Sequence, residues 1–217
     1  RLKELFPAIL ASAEACRIRL QATDGPVEAE AAMSHVTADV IVRAMFSVAI
    51  EDEDAGRVFR AFRAYQRAQP LLNAGALLPL PHWVPRFHRP AVRRAAREIR
   101  TLLRGMTERR IEEIRQGRAP DDLATRILAA RDPVTGQGFG ADEMADQVAI
   151  FFLAGHETSA SALAWALYLL ATHPEIQDRA AAEAAALPDS PGFADIAGMG
   201  VLRDVLRETL RLYPPVP

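Results

Sequence analysis

The chain has 217 residues, half of them hydrophobic, a single cysteine and a formal net charge of −2. That length is enough for one large or two small domains with a substantial core. The near-balanced charge excludes a basic nucleic-acid footprint, while the lone Cys16 excludes an internal disulfide framework and fits a reducing compartment.

From the start, apolar residues at 2, 5, 6, 9, 10, 13, 16 and 20 follow the helical period until Asp24-Gly25-Pro26 breaks it. No signal peptide opens the chain and no methionine precedes Arg1. The last residues are Pro214-Pro215-Val216-Pro217, so both ends read as cuts in a longer protein. A second helix is expected over Val27–Val48, with its core face on Val36, Val40, Ala44 and Phe46 or Val48. The acidic run Glu51–Asp54 favours the N-terminus of a third helix carrying Val58, Phe59, Phe62 and Tyr65. Leu71–Pro90 holds four prolines among leucines and aromatics, which forbids a regular helix. It reads as a lid or access channel, or as a loop packed over the core.

Ala91–Arg115 is a long arginine-rich helix, read as a solvated face paired with Glu98, Glu108, Glu112 and Glu113 and stopped at Gly117. Asp121 or Asp122 caps a short helix through Leu128, and Asp132-Pro133-Val134-Thr135-Gly136 makes a turn. Asp142 is expected to cap the next, central helix. Thr172-His173-Pro174-Glu175 reads as a capping box opening a helix to about Ala186. Val201–Leu212 is the last helix, ended by Pro214-Pro215. No strand and no internal repeat is found, and the class is mainly α, helices packed around a long buried central helix.

That central stretch is Val148–Ala171, apolar almost all round and therefore expected to be buried on every side. Its middle, Ala154-Gly155-His156-Glu157-Thr158, puts an imidazole, an acid and a hydroxyl where apolar groups belong, and Gly155 costs about 1 kcal/mol against alanine in a helix. A membrane span is interrupted by Glu157. A zinc-protease helix fails because position 160 is alanine, not histidine. A plain core helix would have Thr158 bonded back to the Ala154 carbonyl. Alternatively, positions 151, 155, 158 and 162 share a face. Phe151 then borders a shallow floor of Gly155, Thr158 and Ala162 that a flat ligand could lie against. Glu157 points about 100° from Thr158 and can act as a proton source without blocking that floor.

About fifty residues on, Glu208 and Arg211 stand at i and i+3 within Leu206-Arg207-Glu208-Thr209-Leu210-Arg211-Leu212-Tyr213-Pro214-Pro215. Ala-Gly-His-Glu-Thr in an apolar helix, followed at this spacing by Glu-Thr-Leu-Arg-Leu-Tyr-Pro-Pro, resembles the cytochrome P-450 family of haem-thiolate monooxygenases. The resemblance runs along the whole chain and includes Asp132-Pro133, Thr135-Gly136 and His173-Pro174-Glu175.

The resemblance implies that residues 1–217 form a single segment of a larger P-450 catalytic domain, covering about its D through K helices. Ala154, Gly155 and Thr158 would face haem b, Glu157 and Thr158 would be the catalytic proton-delivery pair, and Phe151, Ala154 and Val216 would line the substrate pocket. Glu208 and Arg211 would form a buried structural pair, and Leu71–Pro90 would lie over the substrate mouth. No metal ligand falls in the segment: the family's haem cysteine would come after Pro217, and Cys16 lacks that loop's context. The implied activity is insertion of one oxygen atom of O₂ into a small hydrophobic substrate. The electrons would come from a ferredoxin, flavodoxin or flavin reductase, in the cytoplasm of a bacterial-type protein. The alternatives are a haem-thiolate isomerase or dehydratase and an inactive, haem-free helical fragment.

Overall fold

The computed structural model describes residues 2–68, 90–131 and 133–216. The proline-rich stretch expected over the substrate mouth lies outside the described residues, except Pro90. Among the described residues there are helices and one isolated bridge, Arg131 to Gly138, and no strand, so the class is mainly α. The helices are α1 (Leu2–Gln21), α2 (Ala29–Phe46), α3 (Glu53–Ala68), α4 (Pro90–Arg115), α5 (Leu123–Ala129), α6 (Ala141–Thr172), α7 (Pro174–Ala185), α8 (Phe193–Ala197) and α9 (Gly200–Leu212). Among the described residues, no helix is long and apolar enough to cross a membrane.

The chain divides into two compact units, Arg1–Ala44 with Ala154–Pro217, and Met45–Leu153. In the second, Phe62 of α3 and Phe152 of α6 stack with centroids 4.3 Å apart, among buried Val58, Leu103, Met144 and Val148. Asp52 accepts from the backbone N–H groups of Asp54 and Ala55 at 3.1 and 3.3 Å, so the acidic run does start α3. Gly117, at φ +65°, ends α4 with the N–H of Arg118 on the Glu113 carbonyl and its own on Ile114, a Schellman closure that needs a left-handed residue there. Asp122 caps α5 by accepting from Thr125 N–H at 3.0 Å.

In the first unit, Cys16 of α1, Met33 of α2 and Ala160 of α6 form a small apolar core with Val36 and Leu163 against it. The core face of α2 runs through Met33, Thr37, Ala38 and Val42, about one residue out of register with the expected Val36, Val40 and Ala44, while Phe46 is buried as expected. Trp165 of α6 stacks on Tyr213, just past α9, with centroids 4.0 Å apart.

Two helix-end readings change, and one of burial. α6 begins at Ala141, so Asp142 lies inside it, and Glu143 caps instead by accepting from Gly140 N–H at 2.9 Å. The box expected from Thr172 does not form. Its hydroxyl donates back to the Tyr168 carbonyl at 3.0 Å because α6 runs on to include it, and His173 caps α7 without a side-chain bond. Nor is the central helix buried on every side. Its buried residues Ala145, Val148, Phe152, His156 and Ala160 follow a single i, i+3/i+4 stripe, while Ile150, Phe151, Leu167 and Tyr168 are exposed. The described neighbours cover one face of a helix that is apolar on several.

Candidate functional site

The pentapeptide Ala154–Thr158 sits whole within the first unit, and one turn of helix sorts its side chains in two directions. His156 is 1% exposed and belongs to the buried stripe. Ala154 and Glu157 are exposed, and Thr158 is half-buried beside them. Glu157 and Thr158, with small Ala154, therefore form an open strip opposite the packed histidine. The Thr158 hydroxyl donates to the Ala154 carbonyl at 2.7 Å, the back-bond of a helical threonine. A hydroxyl has one proton to give and two lone pairs, so Thr158 Oγ1 still accepts from a donor on the open side.

Gly155 faces the other way from the expected floor. A Cβ built there would lie 3.0 Å from Cδ1 of Ile41, so its missing side chain admits α2 and does not line the open strip. Sequence spacing placed 155 with 158 on one face, but that face is wide, and α2 occupies the half that carries Gly155. One turn before Ile41, the buried Thr37 hydroxyl lies 2.9 Å from the His156 carbonyl. No local signal in the sequence marks Thr37, because its partner lies 119 residues away.

Phe151 falls in the second unit and is 47% exposed; Val216, in the first, is 69% exposed. Glu208 and Arg211 are paired as expected, with Arg211 Nε and Nη2 donating to the two carboxylate oxygens at 2.8 and 2.6 Å. Arg211 holds the Glu208 carboxyl below its ordinary value. Their burial is not observed: the side chains are 54% and 66% exposed, because the packed side of α9 is that of Thr209 and the pair lies off it.

A carboxylate that spacing did not reveal organises the start of α9. Glu183 of α7 accepts from the backbone N–H groups of Gly200, Val201 and Leu202 at 2.6, 3.0 and 3.0 Å. These are the orphan donors of the helix N-terminus, and a negative charge there also suits the helix dipole. The bonds from Leu202 and Val201, with that from Gly200, lower the Glu183 pKa. A groove of about 540 Å³ opens alongside, lined by Leu169, Ile176, Glu183, Val205 and Glu208.

Among the described residues no cluster of histidine, cysteine and carboxylates could hold a metal ion. Cys16 is buried beside Met33 and Ala160, with its sulfur in the α1–α2–α6 core.

The family model for cytochrome P-450 matches residues 4–217. The cyclooctat-9-en-7-ol 5-monooxygenase of Streptomyces melanosporofaciens is 34% identical over 183 residues, covering 81% of this chain and 38% of that protein. The bifunctional cytochrome P-450/NADPH–P-450 reductase 2 of Bacillus subtilis (strain 168) is 42% identical over 98 residues, 44% of this chain and 9% of that protein. The crystal structure of the cytochrome P-450DA haem domain superposes with a TM-score of 0.75 at 25% identity, covering 97% of this chain and 46% of that one. The chain thus spans less than half the length of each of these proteins.

Proposed function

Because the chain belongs to the cytochrome P-450 family, we propose that residues 1–217 are one segment of the catalytic domain of a haem-dependent monooxygenase. The whole protein, in this reading, inserts one oxygen atom of O₂ into a small hydrophobic substrate. It works in the cytoplasm with electrons from a ferredoxin, flavodoxin or flavin reductase. The observation that carries the reading is the open strip of α6, where Ala154, Glu157 and Thr158 turn outward while His156 is packed.

The residues present fit one face of haem b. Ala154 offers a small side chain on the open strip, and Thr158 a hydroxyl with acceptor capacity left over. The thiolate that would hold the iron is not among them, since Cys16 is buried in the α1–α2–α6 core. Haem, when bound, supplies the iron at which O₂ is reduced. Gly155 supports the strip from behind by letting α2 close on α6.

The chain's own part is proton handling and positioning. Thr158 Oγ1 gives its proton to the Ala154 carbonyl and accepts a bond from a water or substrate donor, fixing that donor's orientation. Glu157, exposed one residue away, exchanges protons with solvent and reloads the held donor. General acid–base help of this kind is worth about 10²–10⁴-fold. Phe151 in the second unit and Val216 in the first are each an exposed apolar side chain, the character that the substrate-lining role implied by the resemblance requires. An isomerase or dehydratase that rearranges a peroxide needs no such relay, and the Glu157–Thr158 pair disfavours it.

The intact protein should bind haem, show the red-shifted carbon monoxide band of a thiolate ligand on reduction, and form an oxygenated product with a reductase and O₂. Absence of haem binding would return the chain to the inactive-fragment reading. Thiolate-ligated haem that turns over a peroxide without any reductant would favour the isomerase.

A further inference from the structure

We propose that Thr37 is a positioning residue for the Glu157–Thr158 pair, acting through the carbonyl of His156; the inference rests on the proton-delivery reading of that pair. Thr37 Oγ1 lies 2.9 Å from the Met33 carbonyl, 3.2 Å from that of Ser34 and 2.9 Å from that of His156. It has one proton for three acceptors. The bonds within α2 are the usual resting place of a helical threonine. The contact to His156 is different. Two oxygens held 2.9 Å apart without a proton between them repel, and both groups are buried away from water that could intervene. The Thr37 proton is therefore shared between the Met33 and His156 carbonyls, both buried and both 2.9 Å away.

That carbonyl belongs to the peptide unit whose N–H is Glu157's own. A second donor on a helical carbonyl leaves the helix's own N–H in place and ties that peptide unit to α2. Ile41, one turn on from Thr37, sits against Gly155. Two residues of α2 at i and i+4 thus grip two consecutive residues of α6, leaving Ala154, Glu157 and Thr158 on the far side. The orientation of the 156–157 peptide plane sets the direction in which Glu157 and Thr158 project. Thr37 fixes that plane without touching substrate or cofactor.

The test uses the intact protein carrying Thr37→Val, Thr37→Ser or Thr158→Ala, read by amide hydrogen exchange and by the share of reductant electrons released as hydrogen peroxide. Thr37→Val keeps the shape and removes the donor. Exchange over residues 155–162 should rise about fivefold, the factor for one buried hydrogen bond, with α9 unchanged. Peroxide should rise at the expense of product, and Thr37→Ser should restore both. Unchanged exchange in that peptide, or a rise spread evenly over all helices, overturns the inference. So does a local rise with full coupling retained while Thr158→Ala uncouples. If Thr158→Ala itself leaves coupling intact, the reading of the pair fails and the positioning role goes with it. The exchange result then reports only the contact between Thr37 and His156.

Discussion

The guanidinium of Arg110, on α4, joins the end of α2 and the start of α5 to its own helix. It donates to Asp122, to Thr125 Oγ1 at 3.0 Å, to Glu113 at 2.7 Å and to the Phe46 carbonyl at 2.7 Å. Ser47, at φ +58°, adds its hydroxyl to Asp122 at 2.9 Å. Arg110 and Asp122 are both buried, so removing one partner strands the other charge. Arg110→Ala should destabilise the protein by about 3–5 kcal/mol, read as a lower urea midpoint with little change in slope. A loss within about 0.5 kcal/mol would make the pair an ordinary surface one. The helix read as a solvated arginine face is mostly that: Arg104 pairs with Glu108, Arg100 with Asp146 and Arg109 with Asp54. Arg110 is the exception: it continues the spacing of Ile99, Leu103 and Met106, a pattern legible in the sequence although the helix was read as a solvated arginine face throughout. Its partners, set by tertiary packing, were not.

Two contacts between helices carry testable consequences. Glu183 caps α9 from α7, and its pKa is lowered from the usual 4.5 by the backbone N–H bonds it accepts. The folded protein binds that proton less readily than the unfolded chain. The stability Glu183 contributes is therefore present above the unfolded pKa and is lost as pH falls below about 4.5 through the folded value. Glu183→Gln should lower Tm at neutral pH, and the difference from wild type should shrink toward about pH 3. A Tm difference constant with pH would remove the charge from the explanation. Gly155 and Ile41 make the second case. Gly155→Ala alone trades a helix-propensity gain of about 1 kcal/mol against the 3.0 Å approach to Ile41 Cδ1. Ile41→Val deletes that atom. The double variant should be more stable than the sum of the singles by about 0.5–1 kcal/mol in chemical denaturation. Strict additivity would mean that Gly155 is not held for the approach of α2. Periodicity found these helices, and end signals found the stop at Gly117 and the cap at Asp122 but not the caps of α6 and α7. They missed Glu183 and the α2 contact because both link residues far apart in sequence.

Over the full chain, the two motifs and their spacing carried the family assignment, and the match to residues 4–217 agrees with it. What spacing could not resolve was which side of each helix the rest of the chain covers. The exposed Glu208–Arg211 pair and the one-sided burial of α6 both come from that. Large apolar side chains exposed on α6 and α9, among them Tyr168, Leu167 and Leu210, show how much surface is uncovered in a chain spanning under half the length of those relatives.

In the proposed function Thr158 governs what becomes of reduced dioxygen, with Glu157 resupplying the proton. Thr158→Ala removes a half-buried hydroxyl and leaves little cavity, so the intact protein should still fold, bind haem and consume reductant. Product and hydrogen peroxide are to be measured per reductant oxidised. Electrons should leave mainly as peroxide, with product formation down by about 10²-fold or more. Unchanged coupling would rule this role out and leave Thr158 as a threonine bonded to its own helix.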